Sequence, residues 1–250
     1  MKIIACYSNK GGVGKTAASV NLAYAIAAAG NRTLLCDLDP QGASGFYFRV
    51  KPSKKLEETA FFKDVEKFTG AIRGSDFENL DVLPANMSFR DFDVFLSRMR
   101  NSRSRLTKSL KAVEKDYDVV VLDCPPTIST LSENVFRSAD AIVVPVIPTT
   151  LSERTFEQLL EFFKKNKLPA QKIHGFFSMV QNVKKLHLET MDAMSAAFKK
   201  RFMRTHIPFA SDVERMGIHR APVMVTAPGS PAGKAYQALS EEVLGRIAKG

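Results

Sequence analysis

The residues with the clearest chemistry stand near the amino terminus: Asn9, Lys10, Gly11, Gly12, Val13, Gly14, Lys15 and Thr16, running through Ala17 into an alanine-rich stretch. Holding a triphosphate takes closely spaced backbone N–H donors, the positive end of a helix, a cation and an oxygen ligand for magnesium. Glycines let the backbone curl into an anion-holding nest, and a following helix adds partial positive charge at its first turn. In that pattern Lys15 reaches the β- and γ-phosphates and the Thr16 hydroxyl binds Mg²⁺, so ATP and Mg²⁺ are the expected cofactors. A glycine turn that only caps a helix is the competing reading. The order strand, loop, Gly-Lys-Thr, helix argues against it. One departure stands out: the ordinary pattern asks for glycine where this chain has Asn9, and Lys10 comes next.

Three carboxylates, Asp37, Asp39 and Asp123, each follow an apolar run. In an open parallel sheet, ligands bind beyond the carboxyl ends of the strands, so all three would share one edge with the loop. Aspartates after strands are also common turn residues. Their coincidence with the phosphate loop favours a functional role.

These residues need a scaffold, and the alternation of apolar runs with helical patterns supplies one. Strands are predicted over residues 3–7, 33–36, 80–83, 119–122, 141–144 and 173–180. Helices are predicted over 15–29 (stopped by Gly30), 152–165, 186–201 and about 232–248. Residues 46–79, with Phe46, Phe48, Phe61, Phe62 and Phe68, read as a loop plus a helix packed on the sheet. The expected fold is α/β: one doubly wound, mostly parallel sheet flanked by helices on both faces, in a single domain over residues 1–250.

The stretch from Lys10 to Thr16 resembles the deviant phosphate loop of the ParA/MinD family of ATPases. Asp37-Leu38-Asp39-Pro40-Gln41-Gly42 is similar to that family's second motif, and Leu122-Asp123-Cys124-Pro125-Pro126 to its Walker B. The resemblance covers nearly the whole chain and is closest to ParA-type positioning ATPases. It implies that Lys10 crosses a homodimer interface to the partner's nucleotide, a cation supplied in trans like an arginine finger. It also implies that Asp39 positions or activates the attacking water, that Asp123 holds Mg²⁺ through water, and that Asp37 supports the metal shell. Residues 145–149 match a switch-adjacent strand end, and Pro208, with Asn182, falls near the adenine pocket. The stretch from Thr149 to Arg154 departs from the acidic-aromatic run of chromosomal members, which leaves the cargo undefined.

The formal net charge is +10 over 250 residues, which favours acidic partners through long-range attraction. From Arg98 to Lys111 there are six basic residues and no acidic one. A second set comprises Lys184, Lys185, Lys199, Lys200, Arg201, Arg204, Arg215 and Arg220. The resemblance implies non-specific DNA binding by basic side chains of the later half, with Lys185 and Arg215 near matching positions. Ordinary solvated charge is the alternative for each residue singly. ATP would assemble the dimer, the dimer would hold DNA, and hydrolysis, stimulated by a cargo-adaptor protein, would release it.

No run of eighteen apolar residues suggests a membrane span, and no signal peptide is apparent, so a cytoplasmic, nucleoid-associated protein is expected. A membrane-cycling regulator of the MinD kind is the second reading. Against it, residues 241–250 carry two acids and few bulky apolar side chains, so no stable membrane anchor is expected. Iron-cluster work, as in the nitrogenase iron protein, would need paired bridging cysteines. Cys6, Cys36 and Cys124 read instead as buried free thiols.

Overall fold

Seven strands form one sheet: β1 (Lys2–Cys6), β2 (Thr33–Asp37), β3 (Arg73–Gly74), β4 (Leu80–Leu83), β5 (Val119–Asp123), β6 (Ala141–Val146) and β7 (Ile173–Phe177). The computed structural model describes residues 1–248. Strand order is β3-β4-β2-β5-β1-β6-β7, and all pairings are parallel except the two-residue edge strand β3.

Because side chains alternate across a strand, each strand feeds two cores. Ile3, Ala5 and Tyr7 join one cluster with Phe136, Phe156 and Phe163, while Ile4 and Cys6 join the other with Leu22, Ile26, Tyr236 and Leu239. The second cluster is built largely by the helices Lys15–Ala28 and Pro231–Ile247. Leu22 and Ile26 are fully buried there, each worth about 2 kcal/mol of apolar transfer. The alanines between them let the helix lie close to both the sheet and the last helix. Gly30, at φ +90°, ends that helix in a conformation that a side chain would resist.

The structure redraws several boundaries. Strand pairing ends at Phe177 rather than 180 because Met179 turns at φ +55°, after which Val180 makes one isolated bridge to Pro208. The helix predicted over 186–201 spans Lys185–Phe198, and Lys199, at φ +41°, breaks its hydrogen-bond ladder. Residues 46–79 hold more than a loop and one helix: Glu58–Lys63, Val65–Thr69 and β3 all fall there. Phe61, Phe62 and Phe68 join Phe89 and Phe92 in an aromatic cluster. The Arg98 to Lys111 stretch is likewise broken, anchored by buried Leu106 and Leu110. Within it Arg103 pairs with Glu133 at 3.3 Å and Arg105 donates to the Arg100 carbonyl.

Candidate functional site

The strand order places β5 between β2 and β1, and this decides the site. Asp123, the last residue of β5, is in register with both Asp37 at the end of β2 and Cys6 at the end of β1. The loop from Tyr7 to Gly14 therefore starts one strand away from one carboxylate and two away from the other.

The loop closes on itself. Gly14 caps the helix Lys15–Ala28 at φ +92°, and a Cβ there would stand 3.0 Å from the Ser178 hydroxyl, so space and backbone both require glycine. Gly11 and Gly12 are exposed, with nothing within 4 Å of an added Cβ. Lys15 is buried, and its Nζ donates to the Lys10 carbonyl at 3.0 Å. Burial pulls the Lys15 pKa down, opposed by the nearby charges of Asp123 and Asp39. The Lys10 N–H donates to Ser8 Oγ at 3.3 Å, and Thr16 and Ala17 lie half-buried in the first helical turn.

The carboxylates are held by hydroxyls and amides. Asp123 accepts from Ser19 Oγ at 3.0 Å and Ser44 Oγ at 2.8 Å. Asp37 accepts from the backbone N–H of Asp39 at 3.1 Å and of Ser44 at 3.0 Å. Burial pushes both carboxyls up; hydroxyl donors draw Asp123 back, while the Asp123 charge raises Asp37 further. Asp39 is half-buried and accepts the Gln41 N–H at 3.0 Å, leaving carboxylate surface toward solvent.

The residues fit MgATP. Glycine amides and a helix N-terminus make an anion cradle, and a crowd of carboxylate and hydroxyl oxygens beside a single lysine favours a hard cation. Among the described residues no three His, Cys, Asp or Glu side chains are spaced to hold a metal alone. Mg²⁺, which takes one or two protein ligands and keeps water and phosphate, suits such a site.

The AAA domain family matches residues 1–174. The sporulation initiation inhibitor Soj of Bacillus subtilis is 30% identical over 248 residues, covering 97% of this chain and 98% of Soj. The chain belongs to the ParA/MinD family of P-loop ATPases. The chromosome partitioning protein ParA of Myxococcus xanthus is 27% identical over 250 residues, covering 97% and 88% of the two chains. Among solved structures, the ATP complex of McdA from Cyanothece superposes with a TM-score of 0.85 at 19% identity, covering 98% and 96%. MinD from Pyrococcus horikoshii with Mg-ADP gives 0.78 at 20% identity, covering 97% and 95%. These two likenesses carry the ParA/MinD fold.

Two sequence-predicted residues, Asn182 and Pro208, come together through the segments that bear them. Val180 N–H donates to the Ile207 carbonyl at 3.0 Å, and Phe209 N–H to the Val180 carbonyl at 2.9 Å. Asn182 sits exposed in a turn steadied by His187 Nδ1, which accepts the Gln181 N–H at 3.1 Å. The same pairing sets the segment leading into Lys184 and Lys185 next to the one leading into the helix Ser211–His219, which carries Arg215 and is capped by Arg220. The eight basic candidates do not form one set. Lys199, Lys200, Arg201 and Arg204 gather near the start of β7, where Arg201 Nη1 donates to the Ala170 carbonyl.

Ser19 and Ser44 are the residues that motif reasoning missed. Both are fully buried; Ser44 gives its hydroxyl to Asp123, while Ser19 shares its own between Asp123 and the Lys15 carbonyl, each at 3.0 Å. Only their nearness to the two motifs hinted at a role, since no spacing rule singles out a serine seven residues after Asp37.

Proposed function

We propose that this chain is a ParA-type positioning ATPase that binds ATP with Mg²⁺, pairs as a nucleotide-sandwich homodimer, and in that state holds DNA without reading its sequence. The observation that carries the reading is the gathering of the Lys10-to-Thr16 loop, Asp37, Asp39 and Asp123 at one sheet edge. The bound nucleotide supplies a γ-phosphoryl group whose transfer to water is the reaction, giving ADP and phosphate. Glycine amides and Lys15 hold the phosphates, and Thr16 and Asp123 hold the metal, Asp123 through water. Asp37 sets the Asp39 amide, and the Asp39 carboxylate orients the attacking water. Lys10 offsets phosphate charge across the interface, so each site is complete only in the dimer. Pro208 and Asn182 border the base.

Lys184, Lys185, Arg215 and Arg220 form the proposed DNA face at the nucleotide end. Dimerisation doubles that face, and two weak sites on one rigid body bind far more tightly than one. Turnover is slow until an adaptor protein bound to the cargo accelerates it. The cargo is a plasmid or chromosome locus, a carboxysome or a chemoreceptor cluster, carried over a cytoplasmic nucleoid matrix. The last described helix supports DNA over a lipid surface: its apolar residues Tyr236, Leu239 and Val243 are spent on the core. Lys249 and Gly250, the end of the 241–250 tail, lie outside the described residues. No described helix is long and apolar enough to cross a membrane.

The test is binding to non-specific duplex DNA with ATP, ADP or no nucleotide across a salt series. ATP-dependent binding that weakens steeply with salt is expected. Equal binding in all nucleotide states, or liposome binding in its place, would overturn the reading.

A further inference from the structure

Three of the four basic residues near the start of β7, Lys199, Lys200 and Arg204, border an open groove of about 770 Å³ that the ATPase reading leaves unused. Its apolar lining includes Phe177, Phe202 and Met203, each at most 6% exposed, and the half-buried Met191. Exposed Lys199, Lys200 and Arg204 also line it, and among the described residues none of the three is in an ion pair.

This basic turn is built rather than loose. Arg246 donates to the Lys200 carbonyl and the Phe202 carbonyl, both at 2.7 Å, and pairs with Glu242 at 3.1 Å. The Glu242 carboxylate in turn accepts the backbone N–H of Arg204 at 2.9 Å and of Thr205 at 3.1 Å. Lys199 holds a left-handed backbone, φ +41°, which a non-glycine residue resists and surrounding contacts must enforce. Clamped this way, the turn presents its cations with little ordering left to lose on binding.

We infer that this groove docks an acidic peptide segment of a partner protein, with carboxylates on Lys199, Lys200 and Arg204 and a bulky apolar side chain against Phe177, Phe202 and Met191. Charge complementarity selects an acidic occupant, and the apolar lining selects a peptide over nucleic acid. A duplex backbone offers phosphates and sugars but nothing to fill an aromatic and methionine surface. Asp192, on the groove wall, would repel a continuous run of phosphates and is avoided by carboxylates spaced along a peptide. The groove runs along the edge strand β7 from His174 to Phe177, and none of its lining residues belongs to the nucleotide loop, so the inference does not rest on the ATPase reading.

The test uses the full chain and a short fluorescein-labelled peptide alternating glutamate with leucine and phenylalanine. A companion peptide carries serine at the apolar positions, and anisotropy is read with and without ATP. The acidic-apolar probe is expected to bind, and the companion about tenfold more weakly. Combining Lys199→Ser, Lys200→Ser and Arg204→Ser should cost about tenfold or more for the probe, while ATP-dependent duplex binding changes by less than about twofold. All three side chains are exposed, and an unchanged thermal midpoint shows that the variant folds. Failure of the probe to bind, equal binding of both peptides, or loss of duplex binding in place of peptide binding would each overturn the inference. The last outcome would assign the turn to nucleic acid.

Discussion

Replacing Ser44 by alanine isolates one bond at the centre of the site. The Ser44 hydroxyl donates to Asp123 Oδ2 at 2.8 Å, with the serine fully buried and Asp123 only 1% exposed. A hydrogen bond to a buried carboxylate is worth about 1.5–3 kcal/mol, and water cannot readily replace the lost donor. The backbone N–H of Ser44, which bonds Asp37 at 3.0 Å, survives the change, so the loss is confined to Asp123. We expect the nucleotide-free protein to lose about 2 kcal/mol in urea unfolding, with a midpoint lower by about 4–8 °C on heating. ATP turnover should fall as well if Asp123 holds the metal as proposed, because the carboxylate is then less firmly placed. Ser19→Ala removes the other hydroxyl, 3.0 Å from Asp123 Oδ1, and the two losses should be non-additive because they share one carboxylate. A Ser44→Ala loss below about 0.5 kcal/mol, with turnover unchanged, would refute the reasoning that these hydroxyls hold Asp123.

Three further outcomes are expected. Asp39→Ala should keep ATP binding yet accumulate a dimer on DNA, read by gel filtration and DNA pelleting; normal turnover would sink the assignment of Asp39 to the water. Lys185→Glu with Arg215→Glu should abolish duplex binding and spare dimerisation, since Lys185 pairs with Glu189 at an exposed site and Arg215 is exposed. Unchanged DNA affinity would mean that the face lies elsewhere. His174, next to Arg246, is pulled down to about 4, first by burial and then by the Arg246 and Arg201 charges. The folded state then resists protonation that the unfolded chain accepts near pH 6.5. Stability attributable to His174 is therefore present above that pH and declines as pH falls from about 6.5 to about 4. The shift corresponds to at most about 3.5 kcal/mol, and solvent at the half-buried ring reduces the expectation to about 1–2 kcal/mol. His174→Gln should flatten that part of the stability–pH curve in urea titrations; an identical slope would show that the ring does not carry it.

The phosphate loop was legible in the sequence because it is local. Gly12 and Gly14, at positive φ, and Lys15 and Thr16, in the first helical turn, owe their placement to spacing within eight residues. The core strands were legible for a related reason: β-branched runs such as 119–122 and 141–144 are covered on both faces and show no alternation. Residues 46–79 were opaque because Glu58–Lys63 and Val65–Thr69 are too short to show a period. Their phenylalanines find partners at Phe89 and Phe92, contacts that no local pattern records.

Sequence alone determined the chemistry available to this protein: an anion cradle, a lysine pair and strand-end carboxylates, carried on an alternating α/β chain. The tertiary structure decided what those groups touch. Strand order put Asp123 in register with Asp37 and Cys6, and burial of Ser19 and Ser44 turned two ordinary serines into donors for that carboxylate. It also divided the basic residues, leaving Lys185 and Arg215 toward the nucleotide end and drawing Lys199, Lys200 and Arg204 around a separate groove. Charge is a property of composition and can be counted along a chain. Whether charges act together depends on long-range packing, which local spacing does not encode.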